Sequence, residues 1–180
     1  MKNLANILTI TRIIVLPFIV VLFFIPGQWS AWACLTLYAI GALTDFFDGW
    51  VARKFQQESE FGRFLDPISD KIFVMTIMLM LVASGIISHI WVILILVIMM
   101  REFLVSGIRE FLGPKNVQMP VTKLAKWKTT AQMVALGFLI IGDVSSFYWF
   151  AGIIFLCIAT VLTVITGWGY LKASIPHVRG

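Results

Sequence analysis

Charge is what this sequence has least of: Asp, Glu, Lys and Arg make up 13% of its 180 residues, against about a quarter in an ordinary soluble domain. With 60% hydrophobic residues as well, the chain has a bilayer rather than water as its main solvent. Cysteine is scarce too. Cys34 and Cys157 lie inside apolar runs, where a small hydrophobe serves equally well, so no disulfide framework or thiolate metal site is expected. The two histidines, His89 and His177, stand far along the chain from the acidic residues discussed below, and neither is a credible ligand there. Internal repeats and low-complexity segments are absent, so one domain over residues 1–180 is expected. The basic residues, 14 in all for a net charge of +5, nowhere form a solvated run interleaved with aromatics. This argues against nucleic acid as a partner and for anionic lipid and phosphate.

What the sequence has in abundance is long apolar runs. Six stand out, near residues 10–25, 31–52, 66–86, 89–112, 127–142 and 147–171, several long enough to cross a hydrocarbon core of about 30 Å. They predict an all-α membrane protein of six transmembrane helices. Residues 2–12 mix Leu4, Ile7 and Leu8 with Asn3, Asn6 and Thr9, the pattern of a short amphipathic helix lying in the interface before the first span. A rival reading takes residues 2–25 as a signal peptide cleaved after Ala31-Trp32-Ala33, but the apolar stretch resumes at once. If the spans alternate in direction, the N-terminus, residues 53–65, residues 113–128 and the C-terminus share one side. The other loops, near residues 26–30, 84–88 and 142–146, contain no Lys or Arg. The positive-inside rule makes the basic side cytoplasmic, and with it every acidic residue but Asp143. The tryptophans and the methionines between residues 75 and 100 are read as interface anchors and packing.

Four carboxylates, Asp45, Asp48, Asp66 and Asp70, fall at the cytoplasmic ends of the second and third helices, where an unpaired charge beside lipid is expensive. Asp45 and Asp48 are three apart and Asp66 and Asp70 four apart, so each pair projects from one side of its helix. Ligation of Mg²⁺, Mn²⁺ or Ca²⁺ by hard oxygens compensates such a cluster. Gly49 and Ala52 continue the face of Asp45 and Asp48, and Gly62 precedes Asp66 by one turn; small residues there leave room for a ligand. Arg53 offers a planar donor fork suited to phosphate. Salt bridges to Arg53, Arg63 and Lys71 are the alternative, but simple ion pairing demands no glycines at those offsets.

The run Asp45-Phe46-Phe47-Asp48-Gly49-Trp50-Val51-Ala52-Arg53, then Gly62, Asp66 and Asp70, resembles at every position the signature D-x-x-D-G-x-x-A-R-x8-G-x-x-x-D-x-x-x-D of the CDP-alcohol phosphatidyltransferases. The resemblance implies a site in which Asp45, Asp48, Asp66 and Asp70 ligate two divalent cations, Mg²⁺ or Mn²⁺, with Asp70 also the general base. It implies a CDP-lipid held over Asp48, Gly49, Ala52, Arg53 and Gly62, and a homodimer.

The acceptor alcohol is set outside that signature. Arg101 and Arg109 lie in the cytoplasmic half of the fourth helix, and Lys126 and Lys128 open the fifth; each would point at lipid unless it faces a cavity. A phosphate-bearing acceptor would give them a partner, and snorkelling to anionic head groups is the alternative. Residues 101–110, 126–133 and 3–12 are similar to the branch of the family that makes phosphatidylglycerophosphate in bacteria. One departure is Ala5, where that branch commonly has Pro nearby. The resemblance implies transfer from CDP-diacylglycerol to sn-glycerol 3-phosphate with release of CMP. Glu102 and Glu110 would orient the arginines. Sibling transferases acting on serine, inositol phosphate or phosphatidylglycerol, and a divalent-cation transporter, are the competing readings. The absence of an Arg- and Ser-rich leader favours a bacterial inner membrane, with the active site cytoplasmic.

Overall fold

The computed structural model describes the backbone of residues 4–55, 60–113 and 122–178, and the side chains of these except 4–9, 45–55, 60–64, 66, 177 and 178. The described residues form six α-helices and no strand: α1 (Leu4–Phe23), α2 (Gln28–Phe55), α3 (Glu60–Ala83), α4 (Val92–Leu112), α5 (Lys123–Ile140) and α6 (Ser146–Val178), with a 3₁₀ turn at His89–Trp91 before α4. Two stretches, His89–Leu112 and Ser146–Pro176, are long and apolar enough to cross a membrane.

Residues 4–12 and the first apolar run form one uninterrupted helix, not a surface helix followed by a separate span. No glycine or proline stands between Leu4 and Leu16 to interrupt it. The helix also continues through Pro17, whose ring removes one backbone donor. Likewise α2 outlasts its apolar run by three residues and α3 starts six residues before its own, so the carboxylate signature lies on helical backbone.

The chain falls into two compact units. Unit 1 holds residues 1–86 and 137–149. Within it α1 packs along both α2 and α3, around Leu16, Ile19, Phe73, Ile77 and Leu81, all buried. The turn from α1 to α2 uses Gly27 at φ +126°, and the turn leaving α3 uses Gly85 at φ +79°, conformations that side chains disfavour. The Ser30 hydroxyl secures the first of these turns through the carbonyls of Ile25 and Gly27, at 2.6 and 2.7 Å.

Unit 2 holds residues 87–136 and 150–180. Its two long helices expose large apolar side chains, and α6 buries several polar ones. On α6 the buried positions include Thr160, Thr163, Thr166, Tyr170 and Ser174, while Ile154, Ile158, Val161, Ile165 and Trp168 are exposed. On α4 Ile93, Leu96, Met100, Phe103 and Phe111 are exposed. In water such apolar faces would be adhesive; hydrocarbon is their natural surroundings. Two of the buried hydroxyls bond back to the helix, Thr160 to the Leu156 carbonyl at 2.8 Å and Ser174 to that of Leu171 at 2.8 Å.

Candidate functional site

In unit 1, helical register puts positions 45, 48, 49 and 52 on one side of α2, and positions 66 and 70 one turn apart on α3. The side chains of Asp45, Asp48, Arg53 and Asp66, and the surroundings of Gly49, Ala52 and Gly62, lie outside the described residues. Asp70 is described and is half-buried. Among the described residues no three candidate ligands gather.

What the structure adds is how α2 and α3 are held together just below these positions. Phe73, three residues after Asp70, is buried and stacks on Tyr38 with ring centroids 5.7 Å apart and planes 8° from parallel. Its ring tip occupies the space over Gly41, where an added Cβ would stand 2.6 Å from Cζ. Gly41 precedes Asp45 by one turn, so a close helix approach sits directly under the carboxylate positions. Sequence reasoning missed Gly41, although its register with Asp45, Asp48 and Ala52 was there to be read.

In unit 2, the sequence-predicted cations separate into those the fold gathers and one it does not. The buried stripe of α4 runs through Ile95, Ile98, Val105 and Leu112, and Glu102 lies on it at helical spacing. Arg101 Nη1 donates to Glu102 Oε1 at 3.0 Å, and Lys128 Nζ of α5 donates to the same oxygen. Lys128 is only 4% exposed, which is sustainable for an ammonium only beside a carboxylate. Arg101 Nη2 donates to Thr166 Oγ1 of α6 at 3.0 Å. One α4 turn pair further on, Arg109 Nη2 donates to the Tyr170 hydroxyl at 2.9 Å. Lys126, two residues before Lys128 and so on another side of α5, is exposed. Glu102 thus bridges two cations, as expected of an orienting group, whereas Glu110 is exposed.

Polar capacity is left over in this cluster. Arg101 Nε, Gln132 Oε1 one turn beyond Lys128, and Thr163 Oγ1 one turn before Thr166 are buried and have no partner among the described residues. Buried donors and acceptors left unmade cost about 1–3 kcal/mol each, so this set is suited to a hydrogen-bonding ligand or to water.

A family model described as CDP-alcohol phosphatidyltransferase matches residues 2–165, a span that includes parts of both units. The chain is similar to a Rickettsia typhi protein named CDP-diacylglycerol–glycerol-3-phosphate 3-phosphatidyltransferase, 46% identical over 96% of this chain and 97% of that one. It is similar to proteins of the same name from Cereibacter sphaeroides, at 38% identity over 98% and 97% of the two chains, and from Escherichia coli K12, at 38% over 96% and 94%.

Proposed function

This chain belongs to the CDP-alcohol phosphatidyltransferase family, and we propose that it transfers the phosphatidyl group of CDP-diacylglycerol to sn-glycerol 3-phosphate, giving phosphatidylglycerophosphate and CMP. Membership of an enzyme family sets the transporter reading aside. The observation that carries the choice of acceptor is the joining of Arg101 and Lys128 on one carboxylate, with the Arg101 Nε left free. A phosphate monoester gives such a group a partner with about two negative charges, whereas zwitterionic serine offers a single carboxylate beside its own ammonium.

Asp45, Asp48, Asp66 and Asp70 form an all-oxygen donor set at helical register, which fits two Mg²⁺ or Mn²⁺ ions. When bound, these ions supply charge neutralisation at the pyrophosphate and at the departing CMP. Asp70 accepts the proton of the acceptor's 1-hydroxyl as that oxygen attacks the β-phosphorus; the new P–O bond forms as the bond to CMP breaks. Gly49, Ala52 and Gly62 leave space for the cytidine diphosphate, and Asp48 and Arg53 orient it. Arg101, Arg109 and Lys128 hold the acceptor's phosphate. Lys126, exposed as Arg109 is, belongs to the same proposed set.

The reading extends to a single domain of six membrane spans in a bacterial inner membrane, with N-terminus and site cytoplasmic, acting as a homodimer. Support for the spans comes from the two long apolar helices and from the exposed apolar faces of α4 and α6. The deciding experiment is CMP release by purified protein with CDP-diacylglycerol and Mg²⁺ or Mn²⁺, offering glycerol 3-phosphate, serine, inositol phosphate or phosphatidylglycerol in turn. Release with glycerol 3-phosphate alone is expected, and a chelator should abolish it; release with serine alone would overturn the acceptor.

A further inference from the structure

The α6 segment that carries Thr166, Gly167 and Tyr170 lies beyond the last residue of the family match, Ile165, yet it makes most of the contacts that fix the two arginines. The Thr166 hydroxyl donates to the Leu162 carbonyl at 2.7 Å, which commits its proton and leaves its oxygen to receive Arg101 at 3.0 Å. Gly167 is buried, and a Cβ added there would stand 2.9 Å from Arg101 Cγ and 3.5 Å from Nε. The arginine stem therefore runs across bare helix backbone, and only glycine permits that path.

Tyr170, 6% exposed, serves both cations at once. The Arg101 guanidinium carbon lies 5.5 Å from its ring centroid and that of Arg109 lies 5.1 Å from it. An aromatic face attracts each guanidinium, but gathering two on one ring sets like charges near each other. Among the described residues the contacts join three cations, Arg101, Arg109 and Lys128, to one carboxylate, Glu102. Two guanidinium groups gathered on one ring suit a phosphate monoester, which carries roughly two negative charges near neutral pH.

We infer that Thr166, Gly167 and Tyr170 are positioning residues that hold Arg101 and Arg109 as a paired receptor for a phosphate monoester dianion, and so set acceptor specificity. The inference rests on the acceptor reading above and names the residues that enforce it. None of the three is assigned contact with the reacting atoms.

The test uses full-length protein in detergent, with KM measured separately for glycerol 3-phosphate and CDP-diacylglycerol, and glycerol 3-phosphate affinity measured by calorimetry. Gly167→Ala should raise the acceptor KM by about tenfold or more, the size of a lost charge-assisted hydrogen bond, while the CDP-diacylglycerol KM stays within about twofold. Gly169→Ala is the control. It changes the same residue type two positions on, where an added Cβ meets nothing within 4 Å, and should leave both KM values within about twofold. In an Arg101→Ala background Gly167→Ala should have no further effect, because the atom it strikes is gone. Tyr170→Leu should weaken acceptor binding more than Tyr170→Phe, which keeps the ring and loses only the hydroxyl. An unchanged acceptor KM in Gly167→Ala, an equal effect of Gly169→Ala, or full additivity with Arg101→Ala would overturn the inference. Wild-type protein that releases no CMP with glycerol 3-phosphate would overturn the acceptor reading itself, a result seen before any variant is made.

Discussion

As the proposed general base, Asp70 is where a change of one atom should separate chemistry from binding. It is half-buried at a helical position one turn after Asp66. Asp70→Asn keeps the size of the side chain and most of its hydrogen-bonding capacity but cannot take up a proton. Loss of a general base of this kind costs about 10²- to 10⁴-fold in turnover. CMP release should fall by that order while CDP-diacylglycerol binding, measured at equilibrium, partly persists. Arg109 is a different case, because the residue is exposed and reaches the Tyr170 hydroxyl through one nitrogen. Arg109→Ala should raise the KM for glycerol 3-phosphate by about tenfold with a much smaller change in kcat, the signature of lost uniform binding. Arg109→Lys should recover little, since an ammonium offers neither the planar fork nor the stacking surface that Tyr170 meets. Steady-state kinetics with the acceptor varied would check both.

At the scale of elements, the close approach of α2 and α3 at Gly41 is the feature on which the carboxylate positions depend. Gly41→Ala gains about 1 kcal/mol of helix propensity. Against this stands a Cβ 2.6 Å from a ring that is 1% exposed and stacked on Tyr38, and overpacking of that sort costs about 1–3 kcal/mol. The steric term wins. The variant should lose thermal stability at a fixed scan rate and lose activity with it, and Phe73→Leu in the same chain should restore part of both. Gly41 marks the limit of what the sequence disclosed. The six apolar runs foretold six helices, because helix formation follows local periodicity. Where α2 and α3 outrun their apolar runs, hydropathy had no signal, since it reports the surrounding solvent and not the backbone. The surface helix expected at residues 2–12 merged into α1 because no breaker separated them. Gly167 and Tyr170 were illegible for another reason: their partners, Arg101 and Arg109, lie more than 60 residues away, and no local pattern encodes such a pairing.

For the whole molecule the open physical question is how the chain lies across a bilayer, and α5 offers the sharpest test. It has 18 residues, about 27 Å at the rise of an α-helix, close to the thickness of a hydrocarbon core. Its two ends differ in charge: Lys123, Lys126 and Lys128 stand at the start, and Asp143 follows the end without a basic residue between Ala131 and Leu171. The positive-inside rule then puts Lys123 in the cytoplasm and Asp143 outside. Both residues are exposed, whereas Cys34 is buried, so Cys34→Ala and Cys157→Ala give a silent background for labelling. In that background Asp143→Cys should react with a membrane-impermeant maleimide added to intact spheroplasts, and Lys123→Cys should react only after the membrane is opened. The reverse pattern would turn α5 over and move Lys128, with Arg101 on the same carboxylate, to the outer side of the membrane, against the cytoplasmic site proposed. Labelling of both from outside would mean that α5 does not cross at all, and the apolar faces of unit 2 would then need a covering other than lipid.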